Sequence, residues 1–377
     1  MFSKNGKISN KQLTRMLMLT IFAGMIYVIP YLSAVLFGES VVWGIVSVFL
    51  LSILYISAIY GIGFLAGLKQ TEDESLKKER KQNKFLDKYC PRIILVLQII
   101  RQMFNFVFYI VLSIAILGQA EVPFMEGSST NSYWNLLMVL PLIFVALYGA
   151  NHNVEKVGRL FEMLFWVIYI PFIVMILFGL KEVDYSVFVP KLQMPFGQLL
   201  LYSCGLVSFV VPVEQYLFLR PNLLGSSDDN LEQFCNASRR SYFRLIFTVG
   251  LIGVLSLFIY GIYGVVGASM EEMVTVDIMR YIRLPLGVLE RFDVLMVWFF
   301  MLGCFVLLCS SLFYCGHLVT KLNCGKRIYW LLGLVFASFI LVLWLPDYKE
   351  TLWLYLCYGV VINLPLSIIL PLVETIL

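Results

Sequence analysis

The stretch Gly-Met-Ile-Tyr-Val-Ile-Pro at residues 24–30 lies in the middle of an apolar run that covers residues 14–37. A helix needs about 20 apolar residues to span a bilayer, and this run is long enough. Glycine weakens a helix, however, and Pro30 cannot donate the backbone hydrogen bond that a continuous helix requires. The sequence therefore predicts a membrane-spanning helix that is interrupted close to its centre.

A second interruption of the same kind is Gly-Leu-Val-Ser-Phe-Val-Val-Pro at residues 205–212, within the apolar run 196–219. Two spans broken by Gly and Pro at matching depth are typical of a transporter-type binding site, and two ordinary kinks are the alternative. The freed N–H and C=O groups must face protein or a water-filled cavity, because lipid offers them no partner. Helix N-termini favour negative charge and the opposing carbonyls favour positive charge, so the two breaks suit a zwitterion such as a free amino acid. Tyr27, Ser208 and Phe209 are predicted to shape this pocket, with plain packing as the alternative.

The composition excludes a soluble protein. The chain has 377 residues, of which 60% are hydrophobic and 14% charged. A mean hydropathy of +0.86 is typical of a membrane protein with several spans. The eight cysteines show no CxxC pair or metal-ligand spacing, and no HExxH, GxSxG or P-loop pattern occurs. We therefore expect no enzyme activity, no cofactor, no metal site and no nucleic-acid partner.

The apolar runs predict ten membrane-spanning helices, at residues 14–37, 41–67, 93–117, 134–150, 160–180, 196–219, 245–267, 288–313, 328–345 and 351–373. Helices one and six are the interrupted ones, so the repeat unit is five spans. An odd unit makes the second half enter the membrane from the opposite face. The sequence therefore predicts an all-α polytopic membrane protein, a single transmembrane domain over residues 1–377 built from inverted repeats 14–180 and 196–373.

Charge distribution predicts the orientation in the membrane. About three quarters of the 28 Lys and Arg residues, including those of the charged segment 69–92, fall on the side of the predicted bundle that holds the N-terminus. Both termini are therefore expected in the cytoplasm. The segment 269–287, in which charged and apolar residues alternate, is predicted to be an amphipathic helix on the membrane surface.

Two charged residues stand out within the predicted spans. Arg101 lies near the centre of the third span, where a charge costs at least ~2.5–3.5 kcal/mol on insertion scales. It is a candidate ligand-binding residue, and an interhelical structural ion pair is the alternative. Glu214 follows the second break, although pairing with the nearby Arg220 would also explain it. Glu162 has a similar local explanation in Arg159.

A charged cluster opens the eighth span. Glu290 and Asp293 are three residues apart and share a helix face, whereas Arg291 points away from both and needs a partner elsewhere. Together with Glu214, these residues are candidates for ion coupling or for a structural ion pair. The alternative is a cluster whose charged ends reach the membrane interface.

These features resemble the B subunits of the nutrient germinant receptors of endospore-forming bacteria, also called endospore germination permeases. That family belongs to the amino acid–polyamine–organocation transporter superfamily. The resemblance covers chain size, ten spans, the break at 24–30, the segment 214–216 and the Arg-Pro pair at 220–221. Its most specific part is Leu-Glu-Arg-Phe-Asp at 289–293, running on to Trp298.

The resemblance implies a ten-helix inverted-repeat fold in which the backbone of the two breaks binds the amino and carboxylate groups of the substrate. By position these backbone groups belong to Gly24, Met25, Ile26, Gly205, Leu206, Val207 and Ser208. It also implies a nutrient receptor in the inner spore membrane, assembled with a soluble A subunit and a lipoprotein C subunit. The alternative function is a proton- or cation-coupled secondary amino-acid transporter, with Glu290, Asp293 or Arg101 in the coupling path.

Overall fold

A computed structural model describes nine segments of the chain and shows them to be almost entirely helical. These segments are residues 7–76, 84–121, 132–189, 191–223, 231–271, 273–278, 292–322, 326–345 and 347–376. Within them the only strand-like feature is a single bridge between Ile8 and Leu223, where the Ile8 N–H donates to the Asn222 carbonyl at 2.9 Å. The protein is therefore all-α over the described residues.

Fourteen α-helices follow one another along the described chain. The first half contains α1 (Asn10–Ile26), α2 (Ile29–Phe37), α3 (Val41–Leu76), α4 (Lys84–Glu121), α5 (Ser132–Ala150) and α6 (Val154–Gly179). The second half contains α7 (Phe196–Val207), α8 (Gln215–Leu219), α9 (Leu231–Met270), α10 (Val274–Asp277), α11 (Phe292–Lys321), α12 (Arg327–Trp344), α13 (Tyr348–Tyr358) and α14 (Leu364–Ile376).

Eight stretches of the described chain are long and apolar enough to cross a membrane. They are Ile29–Leu65, Arg92–Gly118, Val154–Glu182, Phe196–Asn222, Ser238–Met270, Trp298–Lys321, Arg327–Trp344 and Tyr348–Thr375. α1 has only 17 residues, and the described apolar part of α5, Val139–Ala150, is shorter still. The chain is thus a multi-pass membrane protein, and ten crossings stay a prediction.

The helices divide into a central group and an outer group. Among the most apolar 18 residues of Trp298–Lys321, 83% are buried, against 22% for Arg327–Trp344. α11 packs against α4, α5 and α1, and α1 also packs against α9. Large apolar side chains such as Trp344 and Met163 are exposed on outer helices. Because so much apolar surface faces outward, the outer helices are the ones suited to contact lipid.

Two short connections follow α2 and α9. Gly38 to Ser40 form a tight turn, with Gly38 at a φ of 51°, a left-handed conformation that glycine adopts readily. The segment after α9 differs from expectation. α10 and its flanking residues Met273 and Ile278 are buried, so the prediction of a surface helix is wrong for residues 273–278. Residues 279–287 lie outside the described part of the chain.

Candidate functional site

The first break lies where the Gly-to-Pro stretch predicts it. α1 ends at Ile26, Tyr27 and Val28 form a turn, and α2 begins at Ile29 with proline in its first turn. In a continuous helix the Ile26 carbonyl would accept a hydrogen bond from the N–H of Pro30, which proline does not have. The break therefore leaves a buried backbone acceptor that needs another donor.

Hydroxyl groups from a distant part of the chain supply donors to this break. Thr275 of α10 donates to the Ile26 carbonyl at 2.7 Å. Tyr260 of α9 donates to the Pro30 carbonyl at 2.7 Å, and its hydroxyl also lies 2.5 Å from that of Ser33. The break is thus held by α9 and by the segment that follows it.

Tyr27 fixes the break against α11. Its buried hydroxyl donates to the Phe300 carbonyl at 3.1 Å, and its ring packs edge-on against the ring of Phe300. Gly303 permits this contact, because a Cβ atom there would lie 2.1 Å from the Tyr27 hydroxyl. Tyr27 therefore joins the turn between α1 and α2 to α11, and its role in shaping a pocket stays a prediction.

The second break takes a different form from the first. α7 ends at Val207, and the chain continues as a 3₁₀ helix from Ser208 to Glu214 before α8 begins at Gln215. Every residue of this 3₁₀ segment is buried. The Ser208 hydroxyl donates to the Gly205 carbonyl at 2.6 Å, which satisfies one backbone acceptor at the junction. α1 packs directly against the 3₁₀ segment, so the first interrupted helix and the second break are neighbours in the fold.

A third irregularity, which the sequence did not lead us to predict, faces the second break. Between α13 and α14 the chain forms a π-helical turn from Gly359 to Asn363. A Cβ atom on Gly359 would lie 2.7 Å from the Cβ of Ser208, so only glycine allows this approach. Isolated π turns are common at functional sites. The available signal was a Gly and an Asn four residues apart within the last apolar run.

Arg101 and Glu214 form an ion pair in the interior. The Arg101 side chain is 1% exposed and that of Glu214 is 0% exposed. Gln102 donates to the second carboxylate oxygen of Glu214 at 2.7 Å, and Arg101 also donates to the Asn363 carbonyl at 3.2 Å. The pair therefore joins α4, the second break and the π turn. The sequence offered the nearby Arg220 as a partner for Glu214, whereas the structure shows an ion pair with the more distant Arg101.

Polar side chains extend the ion pair along α4. Gln98, Arg101, Gln102 and Asn105 follow one another at helical spacing and are all buried. The Asn105 side-chain oxygen accepts from Tyr355 and from the Asn363 amide, each at 3.3 Å. Neither amide atom of Gln98 has a hydrogen-bond partner among the described residues. A membrane helix with this buried polar stripe must face protein or water, not lipid.

Three aromatic rings cover the second break beside this polar stripe. Phe108 of α4 stacks on Tyr355 of α13 with ring centres 3.8 Å apart. Phe209, a predicted pocket residue, lies with its ring centre 5.1 Å from that of Tyr355 and 5.8 Å from that of Phe108. In this conformation the three rings pack on one another and close the space between α4, α13 and the break.

A small apolar cavity lies beside the first break. Its volume is about 10 Å³, and it is lined by Met25 and Ile29 of the break, Val48 of α3 and Val249 of α9, among others. A single buried water needs roughly 10–15 Å³. An amino acid bound here would therefore require side chains to move.

Other predicted residues lie away from the two breaks. Glu162 of α6 pairs with Arg15 of α1 and accepts from Gln12 at 3.1 Å, while Arg159 pairs with Glu155 one turn earlier. The prediction for the charged cluster that opens the eighth span falls outside what the structure describes. Glu290 and Arg291 precede α11 in an undescribed segment, and only the backbone of Asp293 is described.

Comparison with known proteins identifies a related family. A family model described as a spore germination protein matches residues 85–351, which is most of the chain. The matched range contains Arg101, Glu214 and the whole second break, but neither the first break nor the π turn. No match to a curated protein was found.

Proposed function

Since the chain belongs to the spore germination protein family and is a membrane-spanning permease of that family, we propose that it is the ligand-sensing subunit of a nutrient receptor. In this proposal it binds a small germinant, an amino acid, between the two breaks. Binding is then signalled to a soluble A subunit and a lipoprotein C subunit. The protein performs no chemical conversion and needs no cofactor.

One observation carries this proposal: two interrupted helices lie side by side in the interior, and each interruption exposes backbone groups to protein instead of lipid. Gly24, Met25 and Ile26 form the end of α1, where carbonyls favour an ammonium group. Gly205, Leu206, Val207 and Ser208 form the end of α7 and the start of the 3₁₀ segment. Arg101 contacts this segment through its ion pair with Glu214, and it contributes to binding by holding the segment in position.

The proposed architecture is ten crossings arranged as a five-plus-five inverted repeat. In that arrangement α1–α2 is the first crossing and α7–α8 the sixth, and the two enter the membrane from opposite faces. Both termini would lie in the cytoplasm, and the protein would reside in the inner spore membrane. The described helices allow ten crossings if α1–α2 and α5 each count as one.

A thermal-shift screen of the full chain in detergent micelles tests ligand binding. Amino acids, sugars and nucleosides are added singly, and we expect an amino acid to raise the melting temperature. Stabilisation by sugars or nucleosides alone would contradict the assignment to amino acids. Absence of any stabilising compound would contradict ligand binding itself.

Variants at the breaks locate the site. A Cβ on Gly205 would lie 3.2 Å from Leu356, so Gly205→Leu should fill the break and abolish ligand stabilisation. Gly24→Leu should act similarly, since its Cβ would touch Leu307 at 3.5 Å. Gly333→Leu is the matched control, because a Cβ at this exposed glycine meets nothing within 4 Å. Normal ligand binding by both break variants would remove the site from the breaks.

The second candidate function is a proton- or cation-coupled amino-acid transporter. The buried Arg101–Glu214 pair favours it, because ionisable groups within membrane spans often lie on ion pathways. Uptake of labelled amino acids into proteoliposomes would support the transporter. Copurification with two further subunits and no uptake would support the receptor.

A further inference from the structure

The segment that follows α9 reaches inward to the first break. The chain bends at Gly264, which has a φ of 71° and interrupts the regular course of α9. Beyond the end of α9, α10 is buried, and Val274 and Thr275 have no exposed surface. α10 packs against α2, α4, α9 and α11. A segment joining two long helices thus contributes a side chain to the interior.

That side chain is Thr275, and its partner is the backbone acceptor that Pro30 leaves without a donor. The Thr275 hydroxyl donates to the Ile26 carbonyl at 2.7 Å. These two residues are 249 positions apart in the chain. The contact therefore ties α10 to the turn between α1 and α2.

The Ile26 carbonyl is well suited to a cationic donor. It lies in the last turn of α1, where the aligned peptide dipoles place partial negative charge. An ammonium group donates stronger and shorter hydrogen bonds to such an acceptor than a neutral hydroxyl does. An amine-bearing ligand could thus replace Thr275 at this position without leaving the carbonyl unpaired.

We propose that the Thr275 hydroxyl occupies the position that the ammonium group of the ligand takes, so that α10 is a lid which the ligand displaces. This inference rests on the proposed function, because it assumes an amino-acid ligand at the breaks. Binding exchanges one hydroxyl–carbonyl hydrogen bond for an ammonium–carbonyl hydrogen bond, and the hydroxyl is freed to bond with water. Thr275 is thereby a positioning residue whose contact holds the closed conformation.

Whether Thr275→Val strengthens or weakens ligand binding distinguishes this role from a purely structural one. If the hydroxyl competes with the ligand, Thr275→Val favours the open conformation and increases the apparent affinity. If the hydroxyl instead helps to close the lid over a bound ligand, the same variant binds more weakly. Thr275→Ser keeps the hydroxyl and is the matched control.

The experiment compares wild-type protein, Thr275→Val and Thr275→Ser as full chains in detergent micelles. Dissociation constants are measured for glycine and the nineteen other common amino acids in their L form, tested singly. Hydrogen exchange of the peptide covering residues 273–278 is followed with and without each amino acid that binds. The control probe is the same molecule without its amino group, that is, the carboxylic acid in which hydrogen replaces the amino group of the amino acid that binds.

We expect Thr275→Val to lower the dissociation constant roughly two- to tenfold, as the loss of one competing hydrogen bond would do. The serine variant should match wild type. A bound amino acid should speed exchange in residues 273–278 of wild type, and the control probe should leave it unchanged. In Thr275→Val exchange should already be fast without ligand.

Two results would contradict the proposal that α10 is a lid, and they differ in whether they also contradict the proposed function. Unchanged or weaker amino-acid binding by Thr275→Val, with normal binding by wild type, removes the competition but leaves the proposed function intact. Absence of amino-acid binding by all three proteins removes both. Melting curves of the three ligand-free proteins establish whether the variants are folded.

Discussion

Arg101 and Glu214 show how strongly one pair of residues can depend on each other. Both side chains are almost fully buried, and each is the other's charged partner. Removing one member of a buried pair leaves an uncompensated charge, whereas replacing both with apolar residues is often neutral. Removing one member of the pair is therefore expected to destabilise the protein more than replacing both members with apolar residues.

The first prediction concerns stability after substitution at this pair. Arg101→Ala should lower the free energy of unfolding by roughly 3–5 kcal/mol, and the double variant Arg101→Met with Glu214→Leu should recover much of that loss. The measurement is thermal unfolding in detergent. The exposed pair of Lys191 and Glu39 is the control, since disrupting it should have little effect. Equal destabilisation by the single and double variants would mean that the two charges do not act as a pair.

A second prediction concerns Tyr27 and the glycine that accommodates it. Gly303→Ala should destabilise the protein, because the new Cβ would collide with the Tyr27 hydroxyl. Adding Tyr27→Phe removes that hydroxyl and should restore part of the stability. The double variant can recover only partly, because the Tyr27 ring carbon would still lie 3.2 Å from the Cβ. Gly333→Ala serves as the control in the same unfolding assay, and a Gly303→Ala protein as stable as wild type would contradict the close contact.

At the scale of secondary-structure elements, three segments depart from regular α-helix. They are the turn between α1 and α2, the 3₁₀ segment Ser208–Glu214 and the π turn Gly359–Asn363. Each leaves backbone groups that need partners from other elements. The 3₁₀ segment contacts both α1 and the π turn, so it links the first interrupted helix to the π turn.

The third prediction tests the contact between the π turn and the second break. Gly359→Ala should lower both stability and ligand response, because its Cβ would lie 2.6 Å from Oγ and 2.7 Å from Cβ of Ser208. Ser208→Gly removes both atoms and should rescue the variant. Ser208→Ala removes only the hydroxyl and should rescue it less. Equal rescue by both second-site changes would show that the hydroxyl alone causes the clash.

At the scale of the whole molecule, orientation in the membrane can be tested with two exposed positions. Lys191 and Arg239 lie on opposite predicted sides of the bilayer. In a background without native cysteines, Lys191→Cys should react with a membrane-impermeant maleimide on intact cells. Arg239→Cys should react only after permeabilisation. The reverse pattern would place both termini outside the cytoplasm.

Several features of this protein could be predicted from local sequence alone. The break at Pro30 follows from a proline without an N–H group, and the turn at Gly38 follows from a glycine between two apolar runs. Helical spans follow from apolar runs of sufficient length, and those runs also exclude a soluble fold. Such features depend on residues close together in the chain, so the chain order contains the needed information.

The partners of buried polar groups could be found only in the tertiary structure. The charge of Arg101 within an apolar span predicts that it needs a partner, but the sequence does not distinguish Glu214 from the other acidic residues. Thr275 gave no signal, since one threonine in a mixed segment looks like any surface residue. The reason is physical: a proline or an apolar run acts on its own backbone, whereas a buried donor is satisfied by whichever acceptor the packing of distant helices brings within about 3 Å.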